Sequence, residues 1–406
     1  MPRAALPTLV LLPLLAAADW PQFLGPNRDS VSAETVPVWT DPPKVLWRAA
    51  VGEAHSSPVV AAGTVYAFYQ PKGQDADALA AFDAATGTKR WEKSYPRAKF
   101  TPPFGTGPRG TPAVDGDRVY TLGSTGVLAC WDAKTGDVKW KVDTLERFKA
   151  KNLFFGVSTS PTVVGKAVVV MVGGKGAGLV GFDKATGEVL WQATDDPASY
   201  ASPLPLGTGA DQELVVLTGS HLRAVSADGK ERWAVPFKDR LNESSTTPVK
   251  AGRLIVGSSV TAGSIALRLV EKDGQFTPEK AWADRKLTCY FSTPVAVGDD
   301  LYMINGAATL TDPTITLRCV EAATGKVRWT KERVGKYHAA LIRTGDGKLL
   351  MLDDAGRLIL LQPDPTGYKE LCRANVCGPT WAHPALADGK VYARDDKELI
   401  CVQLGK

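Results

Sequence analysis

His55, Arg109, Ser158, Tyr200, Ser245, Phe291, Tyr337 and Trp381 each stand three residues ahead of the same recurring anchor, most often a small or hydroxyl residue, then proline, then an apolar alternation. Neighbouring positions add Tyr290, Lys336, His338 and His383, so three of the four histidines gather at one repeated place. Imidazole, indole and phenol rings beside Arg109 and Lys336 suit an anionic or planar ligand, or a peptide seated on aromatic anchors. Three histidines also raise a metal. However, they fall in different repeat units, and sheet-to-sheet spacing puts them about 10 Å or more apart, so no metal is expected. The candidate ligand-binding residues are therefore His55, Arg109, Tyr200, Tyr290, Phe291, Tyr337, His338, Trp381 and His383, with none assigned to catalysis.

Other chemistry has less behind it. Gly173-Gly174-Lys175-Gly176-Ala177-Gly178 resembles a phosphate cradle but lacks the Gly-Lys-Ser/Thr ending and precedes no helix, so it reads as a hairpin turn. No G-x-S-x-G elbow occurs, and the Ser-Pro pairs are repeat anchors rather than nucleophiles. Asn242-Glu243 is the one nearby oxygen pair that could serve Ca²⁺. The stretch 100–108, read as the longest connection between repeat units, carries Arg109 to the candidate site and is expected to form a lid.

The anchors define the elements that must position these residues. They are Ser57-Pro58, Thr111-Pro112, Ser160-Pro161, Ser202-Pro203, Thr247-Pro248 and Thr293-Pro294, with degenerate copies at Ala339-Ala340 and His383-Pro384. That makes eight units, 42 to 54 residues apart. A second marker keeps the same beat: D-x-x-T-G, then tryptophan four residues on. It runs Asp83–Gly87 with Trp91, Asp132–Gly136 with Trp140 and Asp183–Gly187 with Trp191, and Glu321–Gly325 with Trp329 keeps the pattern. Weaker copies are Asp228-Gly229 with Trp233 and Asp273-Gly274 with Trp282; Asp364–Gly367 has Leu371 in the tryptophan place. In this turn Asp accepts hydrogen bonds from nearby amides and Gly supplies positive φ, so the Asp column is structural.

Four short antiparallel strands recurring at this period make a β-propeller. The expected fold is all-β, an eight-bladed propeller of four-stranded antiparallel blades. The chain ends on a third strand at 400–404, and Lys44-Val45-Leu46-Trp47-Arg48 supplies the missing fourth. This N-terminal strand completes the last blade and removes an open sheet edge. Cys130, Cys319 and Cys401 then share a column with Ala81, Gly181 and Ala224, and read as small buried hydrophobes. Cys289 lies in a connection. Cys372 and Cys377 are close enough in one loop to pair if the backbone allows.

The A-x-D-x-x-T-G-x-x-x-W unit resembles the repeat of the pyrroloquinoline-quinone (PQQ) family of quinoprotein-like propellers, over residues 44–406. The stretch Trp20-Pro21-Gln22-Phe23-Leu24-Gly25-Pro26-Asn27-Arg28 is similar to the leader of many exported bacterial members. The family includes PQQ-dependent alcohol dehydrogenases and the propeller lipoprotein of the outer-membrane barrel-assembly machinery, so the resemblance implies fold more than task. The dehydrogenases carry two adjacent cysteines and a Glu/Asn/Asp calcium cluster. No two cysteines are adjacent here. The lipoprotein needs a cysteine where this chain has Asp19.

Residues 1–18, with Arg3, the apolar run 4–15 and Ala16-Ala17-Ala18, have the layout of a secretory signal peptide. The run is too short to span a bilayer, so no membrane span is expected after cleavage. Residues 19–43 form an extended arm and 44–406 the propeller. The 48 basic and 43 acidic residues give a formal charge of +5, without the Lys/Arg runs of a nucleic-acid patch, so no nucleic-acid partner is expected. The expectation is an exported protein, periplasmic or extracellular, that acts as a non-catalytic binding or scaffold module for a protein, peptide or small ligand at the channel rim, with no cofactor. The alternative is a PQQ- and calcium-dependent alcohol or sugar dehydrogenase, in which a rim base would deprotonate the hydroxyl.

Overall fold

A computed structural model describes residues 19–209, 212–272, 275–309 and 313–405. The leader read at 1–18, and Asp273 and Gly274 of the weak fifth-unit turn, lie outside the described residues. Eight four-stranded antiparallel sheets follow one another along the chain. Blade 1 comprises Val59–Ala61, Thr64–Tyr69, Ala76–Asp83 and Lys89–Pro96. Blade 8 joins Ala385–Ala387, Lys390–Arg394 and Glu398–Gln403 to Lys44–Ala50 from the other end of the chain. Trp47 pairs with Cys401 there, so the ring closes as the strand count requires.

In seven of the eight blades the innermost strand is only three residues long, because inner strands crowd around the axis. Second and third strands are buried almost throughout, whereas outer strands such as Lys89–Pro96 face water. The core lies between blades: Tyr120, Leu122, Leu128 and Cys130 of blade 2 meet Val168, Val170, Val180 and Phe182 of blade 3. Cys130, Cys319 and Cys401 are fully buried within these layers.

The repeat residues work as inter-blade clasps. Asp83 Oδ1 accepts the amides of Ala85 (3.1 Å) and Thr86 (2.9 Å), and Asp132 and Asp183 do the same in their turns. The indole N–H of Trp91, in blade 1, donates to Ala133 O of blade 2 at 3.2 Å, and its ring lies over Gly136, whose φ is +75°. Trp47, Trp140 and Trp282 repeat this clasp on Ala84, Lys184 and Ala322. The anchor hydroxyls link the inner strands: Thr111 Oγ1 accepts Ser57 N, Ser160 Oγ accepts Thr111 N, and Ser202 Oγ accepts Ser160 N, at 2.9–3.1 Å. These serines and threonines are spent on backbone amides.

Four sequence readings are corrected. Cys372, not Leu371, occupies the tryptophan column of blade 7, because the turn there is two residues longer, one of them after Gly367, and Cys372 pairs with Leu360 just before the bulge. A tryptophan would have no turn to clasp, since blade 8 joins its last two strands through the chain ends; Trp39 and Val36 of the arm fill the space. Cys372 also lies in the outer strand Glu370–Asn375 rather than a loop, and it and Cys377 are unbonded thiols. In blade 5 the last two strands extend over Gly263–Lys272 and Gln275–Asp284, carrying the hairpin tip away from Trp282. Finally, the connection at 144–161 is longer than that at 97–112; it contains the short helix Thr144–Phe148, capped by Asp143, which the turn-rich pattern did not reveal.

Residues 19–36 run along the channel. Trp20 bridges Val60, Pro21 O accepts Val114 N, and Val31 bridges Arg343. Glu34 accepts the amides of Asp388 and Gly389. The guanidinium of Arg28, 1% exposed, donates to Pro161 O (3.1 Å) and Ser160 O (3.3 Å). These contacts lie further along the inner strands than the candidate site, so the arm closes the channel from the opposite side.

Candidate functional site

The connections from each outer strand to the next inner strand converge at one mouth of the channel, where a cavity of about 120 Å³ opens. It brings together His55, Arg109, Tyr200, Tyr290, Phe291, His338, Trp381 and His383. Tyr337 stands beside it, its ring 5.2 Å from Trp381. Ser158 and Ser245 complete the column, and Lys336 is exposed at the edge.

Trp381 organises the aromatic wall. His55 and Phe291 stack against it at 5.1 and 5.3 Å with interplanar angles of 24° and 22°. Tyr290 stacks on Phe291 at 3.7 Å. Its hydroxyl donates to the Glu243 carboxylate, the one acid lining the cavity, and burial raises that carboxyl above its usual range. The Tyr200 hydroxyl oxygen accepts Phe155 N at 3.2 Å.

The stretch 100–108, expected to form a lid, crosses the mouth of the cavity, tied down from Arg97 onwards. Arg97 pairs with Asp77 at 3.1 Å, both side chains 0% exposed, and donates to Thr106 O at 2.9 Å. Glu53 accepts Thr106 N at 3.0 Å. At the tip, Phe104 lies 5.2 Å from Trp381, 5.9 Å from Tyr337 and 6.2 Å from Phe155, spanning the mouth. Arg109 is committed to this segment: its guanidinium donates to Pro103 O, Gly105 O and Gly107 O at 3.0–3.2 Å. Burial lowers its pKa to about 10, so it remains a cation whose donors serve its own loop.

The histidine spacing is a correction. His338 and His383 are 5.0 Å apart, not 10 Å or more, because inner strands converge on the axis more closely than stacked sheets do. His338 Nδ1 lies 3.1 Å from Ser292 Oγ, while Nε2 has no hydrogen-bond partner. Among the described residues no group of three His, Cys, Asp or Glu is placed to hold a metal. Desolvation holds His338 well below the usual imidazole pKa and brings His383 down to about 4. The unfolded chain therefore binds more protons below pH about 6.5, and stability is lost as pH falls from there towards about 4. His55 is brought to about 4 as well, by burial and then by the nearby Arg109 charge, so three such histidines limit the slope to about 4.1 kcal/mol per pH unit. Denaturant midpoints measured across this window should drop, and drop less steeply in His383→Gln; a flat profile would contradict the neutral histidines.

Sequence reasoning missed Phe23, Phe104 and Phe155. Phe23 comes from the arm and meets His383 edge-on at 5.1 Å, a placement no repeat register contains. Phe104 and Phe155 lie inside connections, outside the anchor column. The calcium reading of Asn242-Glu243 does not fit: Asn242 Nδ2 donates to Ala198 O at 3.3 Å while Glu243 turns to Tyr290. With one carboxylate and no adjacent cysteines, the rim does not fit a calcium-bound quinone.

The architecture and site define a class: a closed eight-bladed propeller with an aromatic, arm-plugged channel. The family model described as outer membrane protein assembly factor BamB matches residues 32–97 and 74–330, and the chain belongs to that family. It is 24% identical over 265 residues to outer membrane protein assembly factor BamB of Shewanella oneidensis, covering 61% of this chain and 62% of that protein. It is 33% identical over 160 residues to serine/threonine-protein kinase AfsK of Streptomyces griseus, covering 38% of this chain and 18% of the kinase. The chain thus spans less than two thirds of the length of either relative. BamB from Moraxella catarrhalis shares the fold with a TM-score of 0.60 at 16% identity, over 87% of this chain and 96% of that one. Quinohemoprotein alcohol dehydrogenase from Comamonas testosteroni does so with 0.66 at 14% identity, over 96% and 81%.

Proposed function

We propose that this protein is an exported, non-catalytic binding module that takes a protein or peptide, or a small ligand, at the rim cavity. The observation that carries the reading is the aromatic dead end: rings from several blades line a cavity closed below by the arm, and its one carboxylate is engaged by Tyr290. That leaves no unengaged carboxylate among the described lining residues to serve hydrolysis or alcohol oxidation. The name of the Shewanella relative, an assembly factor, supports a protein as the partner. The signal-like residues 1–18 support export to the periplasm or beyond, and no helix among the described residues is long and apolar enough to cross a membrane.

The test is site-specific photocrosslinking in exporting cells. A photoreactive residue at Ser158 or Ser245 should crosslink a partner, and Trp381→Ala should abolish the product. The same probe at Lys134, in a turn on the opposite face, should give none. Equal yields on both faces would overturn the rim assignment. Saturable one-to-one binding of PQQ with Ca²⁺, lost in Trp381→Ala, would overturn the non-catalytic reading in favour of the dehydrogenase.

A further inference from the structure

The cavity has two unmet demands. The first is chemical. His338, 2% exposed, is one of the residues that line the cavity, and its Nε2 is buried without a hydrogen-bond partner. Nδ1 is engaged by Ser292 Oγ, and in either tautomer Nε2 is left without a partner beside a wall of aromatic rings. A buried polar atom of this kind is costly until a partner reaches it. The space, about 120 Å³, suits a single aromatic ring, since an apolar cavity of about 150 Å³ accepts benzene. A ring bearing one hydroxyl meets both conditions.

The second demand is electrostatic. Lys99, Lys149, Lys151, Lys238, Arg240 and Lys336 are exposed on the connections that surround the mouth. None makes a side-chain ion pair among the described residues. Cations of the outer strands, such as Lys89, Arg90, Lys139 and Arg328, are by contrast paired with carboxylates. The turns of the opposite face carry Asp83, Asp132, Asp183 and Glu321. A crown of unpaired positive charge around an apolar hole attracts and orients an acidic chain.

Phe104 shows how the hole is kept covered. It sits at φ +61° on the tip of the 97–107 segment, 36% exposed, and lends its own ring to the cluster of Trp381, Tyr337 and Phe155. The left-handed backbone at a bulky residue is strained; Arg109 and His55 hold the carbonyls of Pro103, Phe104 and Gly105, so it is the Phe104 side chain that turns away.

We propose that the cavity receives a tyrosine side chain from an acidic segment of a partner protein: Phe104 swings aside, the ring seats against Trp381 and Phe291, and the hydroxyl, which can donate or accept, hydrogen-bonds His338 Nε2. This rests on the rim-binding reading and specifies the chemistry of its occupant.

The test uses fluorescently labelled synthetic peptides of about ten residues, each with one central Tyr, Phe or Ala flanked by Asp and Glu, and a matching Tyr peptide flanked by Lys. Anisotropy titrations should rank the acidic peptides Tyr, then Phe, then Ala. The tyrosine peptide should bind about tenfold more tightly than the phenylalanine one, as for a hydroxyl that satisfies a buried polar atom. His338→Leu should erase that ratio. Phe104→Ala should tighten binding severalfold by removing the internal competitor; it alters an exposed loop tip and keeps the test open if Trp381→Ala fails to fold. Added salt should weaken binding. Equal affinity for the Tyr and Phe peptides, an unchanged ratio in His338→Leu, or equal binding of the lysine-flanked peptide would overturn the proposal. Rim crosslinks formed while no acidic tyrosine peptide binds would overturn this inference alone. Absence of both would remove the rim-binding reading as well.

Discussion

Replacing Asp77 with alanine should lower folding stability by about 3–5 kcal/mol, the cost of leaving one member of a buried ion pair without its partner. Both side chains are fully enclosed, 3.1 Å apart, and Tyr95 O–H also points to Asp77 Oδ2 at 3.5 Å. Alanine strands the Arg97 guanidinium in an apolar layer that includes Tyr95 and Trp131. The fault then spreads to function, because Arg97 fixes Thr106 and so the base of the lid. Urea denaturation should show the loss as a lower midpoint. The double variant Asp77→Ala/Arg97→Met should recover much of it, since an apolar pair avoids the stranded charge. A loss under about 1 kcal/mol would mean that water reaches the pair and the surface scale applies.

Gly136→Ala should cost about 3 kcal/mol. One part is the left-handed backbone, φ +75°, worth about 1–2 kcal/mol for a residue with a Cβ. The rest is steric: an added Cβ would sit 2.4 Å from Trp91 Cε3, and the indole cannot retreat without loosening its bond to Ala133 O. Gly116→Ala is the control. Its φ is +59°, but nothing lies within 4 Å of an added Cβ, so only the backbone part, about 1 kcal/mol, should appear. The difference between the two thermal midpoints measures the clasp between blades 1 and 2. Equal losses would mean that the indole yields and the clasp adds little.

Much of the fold was legible because a propeller is a one-dimensional code. Each blade meets mainly its neighbours, so a pattern at fixed period states the blade, and repetition states the ring. Asp83 and Gly87 could be read as a turn from local backbone chemistry alone. Trp91 was legible as a beat but not as a contact, since its partner at Ala133 and Gly136 belongs to the next unit. Leu371 was misplaced for a related reason: counting from Gly367 cannot register the extra residue that follows it in this longer turn.

The candidate site was half legible. The chain by itself determined the fold class, the closure through Trp47, and the column of residues that meets at the channel mouth, because register converts sequence spacing into angular position around an axis. Tertiary structure alone decided what that meeting amounts to. It brought His338 and His383 to 5.0 Å, turned Arg109 onto its own loop, raised Phe23 from the arm into the floor, and laid Phe104 across the opening. These outcomes depend on convergence at the axis and on segments that lie outside the repeat. A periodic pattern carries no information about how far inner strands close in, or where a non-repeating loop comes to rest.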